Sequence, residues 1–174
     1  PLALHSGIGR DVFAAGPCAP SAMIISAWNV NSLNVRLPRL LEWLAAVQPD
    51  VVCLQETKLV DEKFPVVDLA AAGYGAYYAG QKTYNGVAIL AKHGLDATDV
   101  RVGIPGFDDP QQRVIAATIG GIRIIGVYVP NGQALDSDKY PYKLAWLAAL
   151  AAMLQAELAA HPQLRLTTME QFLT

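Results

Sequence analysis

Ser26-Ala27-Trp28-Asn29-Val30-Asn31-Ser32-Leu33 and Cys53-Leu54-Gln55-Glu56-Thr57-Lys58 decide the fold of this chain. Each stretch opens as a short apolar run and breaks off in polar residues. That is the pattern of a buried strand delivering side chains to the rim of a sheet. If the two strands are neighbours, Asn29 and Glu56 arrive side by side. An amide oxygen beside a carboxylate is a hard-oxygen set that suits Mg²⁺, or Mn²⁺. Alone, the Asn reads better as a turn residue and the Glu as a solvated charge; the pairing carries the reading.

Between the two stretches, Leu37, Leu40, Leu41, Leu44 and Val47 recur at helical spacing. The spacing predicts a helix over Arg36–Val47, with Pro38 confined to its first turn. Strand, helix, strand implies a crossover between parallel strands. Downstream, Asp61–Ala72 carries a helical pattern. Tyr74–Ala79 and Gly86–Ala91 read as strands, with Asn85-Gly86 as the hairpin signal between them. Val100–Ile104 reads as a short strand. Arg113–Ile119 and Ile122–Val129 form a second hairpin around Gly120-Gly121. Lys139–Ala160 is a long helix whose apolar stripe runs through Leu144, Leu147, Ala151, Leu154 and Leu158. Hairpins mixed with crossovers imply an α/β layered fold: one mixed β-sheet flanked by the two long helices.

Composition bounds the partners. The chain has 174 residues, 53% of them hydrophobic and 16% charged, enough for a single domain with a real core. A formal net charge of −2 excludes a generally basic nucleic-acid coat, so contact with DNA must rest on a local patch or on metal ions. The cysteines, Cys18 and Cys53, form no CxxC pair. Cys53 sits in an apolar strand as a small hydrophobe, and a reducing, cytoplasmic setting is expected. Gln155 and Glu157 interrupt the long Ala/Leu run, which reads as a core helix rather than a membrane span. Residues 1–22 lack periodicity and are expected to be an extension outside the fold. They do not have the layout of a signal peptide.

A third polar break follows Gly126-Val127 at Tyr128-Val129-Pro130-Asn131-Gly132. A strand ending here aims a phenol and an amide at the rim, and a phenol can serve an oxyanion. Arg113, after Gln111-Gln112, stands at a strand start from which a guanidinium could clamp a phosphate.

Taken in order, several motifs resemble the bacterial exonuclease III group of the exonuclease–endonuclease–phosphatase superfamily. They are Trp28-Asn29-Val30-Asn31, Leu54-Gln55-Glu56-Thr57-Lys58, Gly80-Gln81-Lys82, Tyr84-Asn85-Gly86-Val87, Gln112-Arg113 and Tyr128-Val129-Pro130-Asn131-Gly132. The resemblance implies half of a four-layer α/β sandwich, residues 23–164 being the N-terminal part of the domain. It implies a Mg²⁺-dependent phosphodiesterase acting on duplex DNA at abasic sites and 3′ ends, in a family usually monomeric. By that likeness Glu56 and Asn29 hold the metal, Tyr128 serves the attacked phosphate, and Arg113, Asn131 and Lys58 contact the DNA. The later family pattern, Gly-Asp-x-Asn, a further Asp and a closing Ser-Asp-His, is not found. Residues 165–174 read as a divergent tail from truncation or frameshift, and a chain inactive or nearly so is expected. A phosphatase or RNA-directed member of the superfamily, and a non-catalytic remnant, are the alternatives.

Overall fold

A computed structural model describes residues 23–161. The expected extension over 1–22 and the divergent tail over 165–174 lie outside the described residues. The described chain runs β1 (Ile25–Asn29), α1 (Leu33–Val47), β2 (Val51–Gln55), a 3₁₀ turn (Asp61–Lys63), α2 (Val66–Ala71), β3 (Tyr74–Ala79) and β4 (Val87–Lys92). It continues with β5 (Ala97–Val102), β6 (Val114–Ile119), β7 (Ile122–Val127) and α3 (Lys139–Ala160).

The strands form two sheets, not the single mixed sheet expected. The first has the order β1-β2-β4-β3, and the second β5-β6-β7. In the first sheet β1 and β2 are parallel, with Asn29 opposite Gln55, and the other pairs are antiparallel. The second sheet is antiparallel throughout. The reason for two sheets is written in the alternation of the central strands, which are apolar on both faces. On β2, Val52 and Leu54 face α1, where they meet Leu40, Leu44, Ala88 and Leu90. Val51 and Cys53 face the other way and meet Ile115, Ala117 and Ile119 of β6. Strand β6 repeats the trick: its Val114 and Ala116 pack under Trp146 and Met153 of α3. A strand apolar on both faces must be covered on both. The result is four layers: helix, sheet, sheet, helix. The chain therefore supplies part of each sheet of the expected sandwich rather than one of its two sheets. Cys53, inside the inter-sheet layer, has its thiol pKa pushed by burial up to about 11, so it stays a protonated hydrophobe.

The layers are offset. Strand β4 packs over β6, and β2 over β7, so that β1 overhangs the edge of the second sheet. Ile25, on the inward face of β1, is 45% exposed for that reason.

Local departures from expectation have local causes. Helix α1 begins at Leu33, three residues before the expected Arg36, because the Ser32 and Leu33 N–H groups are tied at 2.8 and 3.0 Å to the Glu56 and Thr57 carbonyls. Pro38 therefore falls in the second turn. Its ring forfeits the hydrogen bond to Asn34, but both residues are exposed and water can take that carbonyl. The 61–72 pattern splits into the 3₁₀ turn and the short α2, divided at Phe64-Pro65. Gly120 and Gly121, at φ 56° and 79°, make the tight β6–β7 turn, which demands left-handed backbone at both positions. Strands β3 and β4 do pair as a hairpin, but residues 80–86 form a long connection rather than a two-residue turn.

Helix α3 has the expected bounds and a different buried stripe. Trp146 and Met153 are buried, whereas Leu144 is 50% and Leu147 36% exposed. By length and composition α3 could cross a membrane, yet its Trp146 and Met153 side packs on the second sheet.

Candidate active site

Two loops meet at one rim of the sandwich. The β2–α2 loop carries Glu56, Thr57 and Lys58, and both Glu56 and Lys58 adopt left-handed backbone at φ 54°. Side chains with a Cβ avoid that region, and such residues persist only where the surroundings dictate them. Here four backbone hydrogen bonds do so. The Glu56 and Thr57 carbonyls take the Ser32 and Leu33 N–H groups, and the Thr57 and Lys58 N–H groups donate at 3.2 and 3.0 Å to the Gly86 and Asn85 carbonyls. The loop is thereby stitched to β1 on one side and β4 on the other. The side chain of Thr57 is fully buried, and its hydroxyl has no partner.

Asn29 and Glu56 do arrive side by side. The Asn29 Nδ2 donates to Glu56 Oε1 at 2.7 Å. The Asn29 Oδ1 accepts the Asn31 N–H at 3.1 Å, which fixes the amide. The Lys58 Nζ lies 3.1 Å from Glu56 Oε2 and donates to Asn31 Oδ1 at 2.5 Å. Burial pushes the Glu56 carboxyl up, but hydrogen bonds from Asn29, Lys58 and Tyr128 and the Lys58 charge together hold it below its ordinary range. Tyr128 goes the other way: burial, and then the facing Glu56, raise its phenol pKa against an opposing Arg113.

Arg113 is 9% exposed. Its Nε and Nη2 donate to Gln111 Oε1 at 3.1 and 2.7 Å, and its Nη1 donates to the Tyr128 carbonyl at 3.2 Å. Its guanidinium carbon sits 4.7 Å from the centre of the Tyr128 ring. Asn131 lines the same cleft, and its Oδ1 accepts the Gln133 N–H at 2.9 Å, forming the turn expected of Asn-Gly. Thus the structure brings Glu56, Lys58, Arg113, Tyr128 and Asn131 around one cleft of about 450 Å³, with Asn29 bound to its Glu56 wall.

The sequence did not single out Gln81, Asn85, Asp109, Lys139 or Tyr142 for this site. Gln81 Oε1 receives the Asn85 amide at 2.9 Å and the Gln112 N–H at 3.1 Å, joining the β3–β4 connection to the start of β6. Asp109 takes the Gln111 N–H at 2.9 Å and the Tyr142 hydroxyl at 2.8 Å. Burial and Asp109 push the Tyr142 phenol up to about 12, with Arg113 opposing. Asp109, two residues before Gln111, is a legible Asx turn. Tyr142 lies on α3 and has no local signal at all.

The arrangement can hold anions and one cation. Among the described residues the lining has Lys58, Arg113 and Lys139 against a single carboxylate, Glu56. Among the described residues no group of three or more His, Cys, Asp or Glu could hold a metal ion. The ionised Glu56 is the hard-oxygen group that a cation keeping most of its water would meet here, at a place where the Lys58 ammonium lies 3.1 Å from its Oε2.

Residues 26–164 match the sequence profile of the endonuclease/exonuclease/phosphatase family. The chain belongs to that family. Among curated members, an exodeoxyribonuclease III of Haemophilus influenzae is 34% identical over 137 residues, which are 75% of this chain and 51% of that relative. Among solved structures of the family, the 3′ phosphatase NExo from Neisseria, bound to a product DNA hairpin, is 51% identical with a TM-score of 0.78. The match covers 80% of this chain and 54% of that one. An AP endonuclease from Archaeoglobus fulgidus is 40% identical with a TM-score of 0.73, over 78% of this chain and 52% of its own. The chain spans about half the length of these family members. Its four layers are those of the endonuclease/exonuclease/phosphatase fold.

Proposed function

We propose that this chain is the metal- and phosphate-holding part of a DNA-repair nuclease that cuts duplex DNA at abasic sites and trims 3′ ends with Mg²⁺, or Mn²⁺, bound. The observation that carries the reading is the charge of the cleft: three cations against one carboxylate, in a chain whose net charge is −2. Local positive charge in a concave, polar site on an acidic protein selects a phosphate backbone. The relatives named for exodeoxyribonuclease and AP endonuclease activity support DNA as the substrate.

Each residue then has a task. Glu56 and Asn29 would hold the cation, with Glu56 kept ionised by its hydrogen bonds. When bound, the ion would supply charge to the attacked phosphate and the departing oxygen. Lys58 and Lys139 draw the flanking phosphates, Asn131 offers its amide at the opposite wall, and Arg113 adds charge to the floor. Tyr128 presents its phenol as a proton-bearing donor to a phosphate oxygen. With its pKa raised, that phenol is not a base at neutral pH. With Glu56 given to the cation, the described residues of the lining offer no second carboxylate to activate water. Lack of general acid–base help costs about 10²–10⁴-fold in rate. Hence the chain alone binds duplex DNA and turns over little.

A second reading, removal of a 3′ phosphate, is favoured by the Neisseria relative and its product hairpin. A duplex with one abasic site, a recessed 3′ end and a 3′-phosphate end should be assayed with Mg²⁺. Binding that weakens as salt rises, with slow turnover lost in Glu56→Ala, is expected; preference among the three ends separates the readings. Absence of duplex binding at low salt would refute the proposal. Fast cleavage that depends on Glu56 would refute the slow-turnover part.

A further inference from the structure

Arg113 has a placement that phosphate binding does not explain. A guanidinium kept for an anion presents its fork to the cleft with hydrogen-bond donors unspent. Three of the five N–H donors of Arg113 are already spent within the protein, one on each nitrogen: Nε and Nη2 donate to the single oxygen Gln111 Oε1, and Nη1 to the main-chain oxygen of Tyr128. The ladder fixes the same partner again, since the Tyr128 N–H donates to the Arg113 carbonyl at 2.8 Å. The plane of charge lies against the Tyr128 ring, 4.7 Å from its centre.

We propose that Arg113 is a positioning residue for Tyr128: it grips the ring and the carbonyl of one residue and thereby fixes the phenol in the cleft that Glu56 also lines. The grip has a built support. Gln111, the holder of the guanidinium, has its own N–H fixed by Asp109, and Asp109 is anchored by the Tyr142 hydroxyl on α3. The orientation of the phenol therefore depends on a line of contacts from α3 through the 103–113 loop to the cleft floor. A Lys could keep the charge but not the planar stack or the simultaneous grip on two oxygens. The inference rests on the nuclease reading for the purpose of the placement, but not for the placement itself.

The two roles separate experimentally. Tyrosine ring ¹³C signals of the full chain are recorded for the wild type, Arg113→Lys, Arg113→Gln and Gln111→Leu, with the Tyr128 signal assigned from Tyr128→Phe. Duplex affinity is measured against salt for the same set. The Tyr128 signal is expected to move in Arg113→Lys although charge is kept, and to move in the same direction in Gln111→Leu. In Arg113→Lys and Gln111→Leu, which keep every cation of the cleft, the slope of log affinity against log salt should stay that of the wild type. A Tyr128 signal unmoved by Arg113→Lys overturns the proposal. So does a slope smaller by about one, which is the mark of a lost phosphate contact. If the Arg113 variants do not fold, Gln111→Leu decides by the same signal. If the wild type binds no duplex, the nuclease reading fails while the ring signals still decide the role of Arg113.

Discussion

Replacing Gly86 by Ala tests how the rim loop is held. Gly86 sits at φ 88°, where a side chain with a Cβ costs about 1–2 kcal/mol. The added methyl would run into the Thr57 hydroxyl oxygen and lie 3.3 Å from the Lys58 nitrogen. Thr57 is fully buried and cannot swing into solvent. Overpacking of this kind adds about 1–3 kcal/mol. The total is about 2–5 kcal/mol, read by urea unfolding as a lower midpoint at unchanged slope. Gly73→Ala is the control, because Gly73 has φ 90° but nothing within 4 Å of an added Cβ. It should show the backbone term alone. The difference between the two variants is then the steric term, and it should shrink in a Thr57→Ala background, where the hydroxyl is gone. Because Gly86 accepts the Thr57 N–H, the same change should displace Glu56 and Lys58 and weaken duplex binding. If Gly86→Ala costs no more than Gly73→Ala, the close approach of β4 to the rim loop is not what orders Glu56.

Two further outcomes are expected. The Glu56 carboxyl, followed by NMR, should titrate below the ordinary glutamate value of about 4.3; its folded pKa is depressed, so its contribution to stability is present above the unfolded value and is lost as pH falls through the folded one. Lys58→Met should move that midpoint up. Trp146→Ala, which empties a site only 1% exposed under α3, should cost about 3–5 kcal/mol in unfolding free energy, whereas Leu147→Ala at 36% exposure should cost under about 0.5; comparable losses would mean that α3 packs through the other stripe.

The strands were legible because each is a short apolar run bounded by polar or turn residues, as Val51 to Leu54 and Tyr74 to Ala79 are, and the Asn29 and Glu56 pair follows from two strand ends. The number of sheets was not legible. It depends on which residues cover the inner faces of β2 and β4, and those lie on β6 and β7, more than twenty residues further along the chain. The stripe of α3 was misread for a related reason. The helix is apolar almost all round, so periodicity in leucine does not say which side meets the sheet, and Trp146 and Met153 won by bulk and shape. At the site, residues at strand ends and in the polar breaks just beyond them were found. Gln81 acts through a side chain that bridges separate loops and Tyr142 reaches the cleft from a helix face, so neither role leaves a pattern along the chain, whereas the Asx turn of Asp109 does.

The offset between the layers gives the molecule a step, like a kink on a growing crystal face. Among the described residues, the riser is the unpaired hydrogen-bonding edge of β7, and the overhang is the inward side of β1, with Ile25 45% exposed. An extended segment arriving there gains twice, pairing its backbone with the riser while roofing its side chains under the overhang. Attachment at such a step is favoured over attachment at a flat edge, so strand addition to this chain should begin at that place. A lysine at position 25 would spoil the overhang while removing little packed surface, and so set how readily the step is filled.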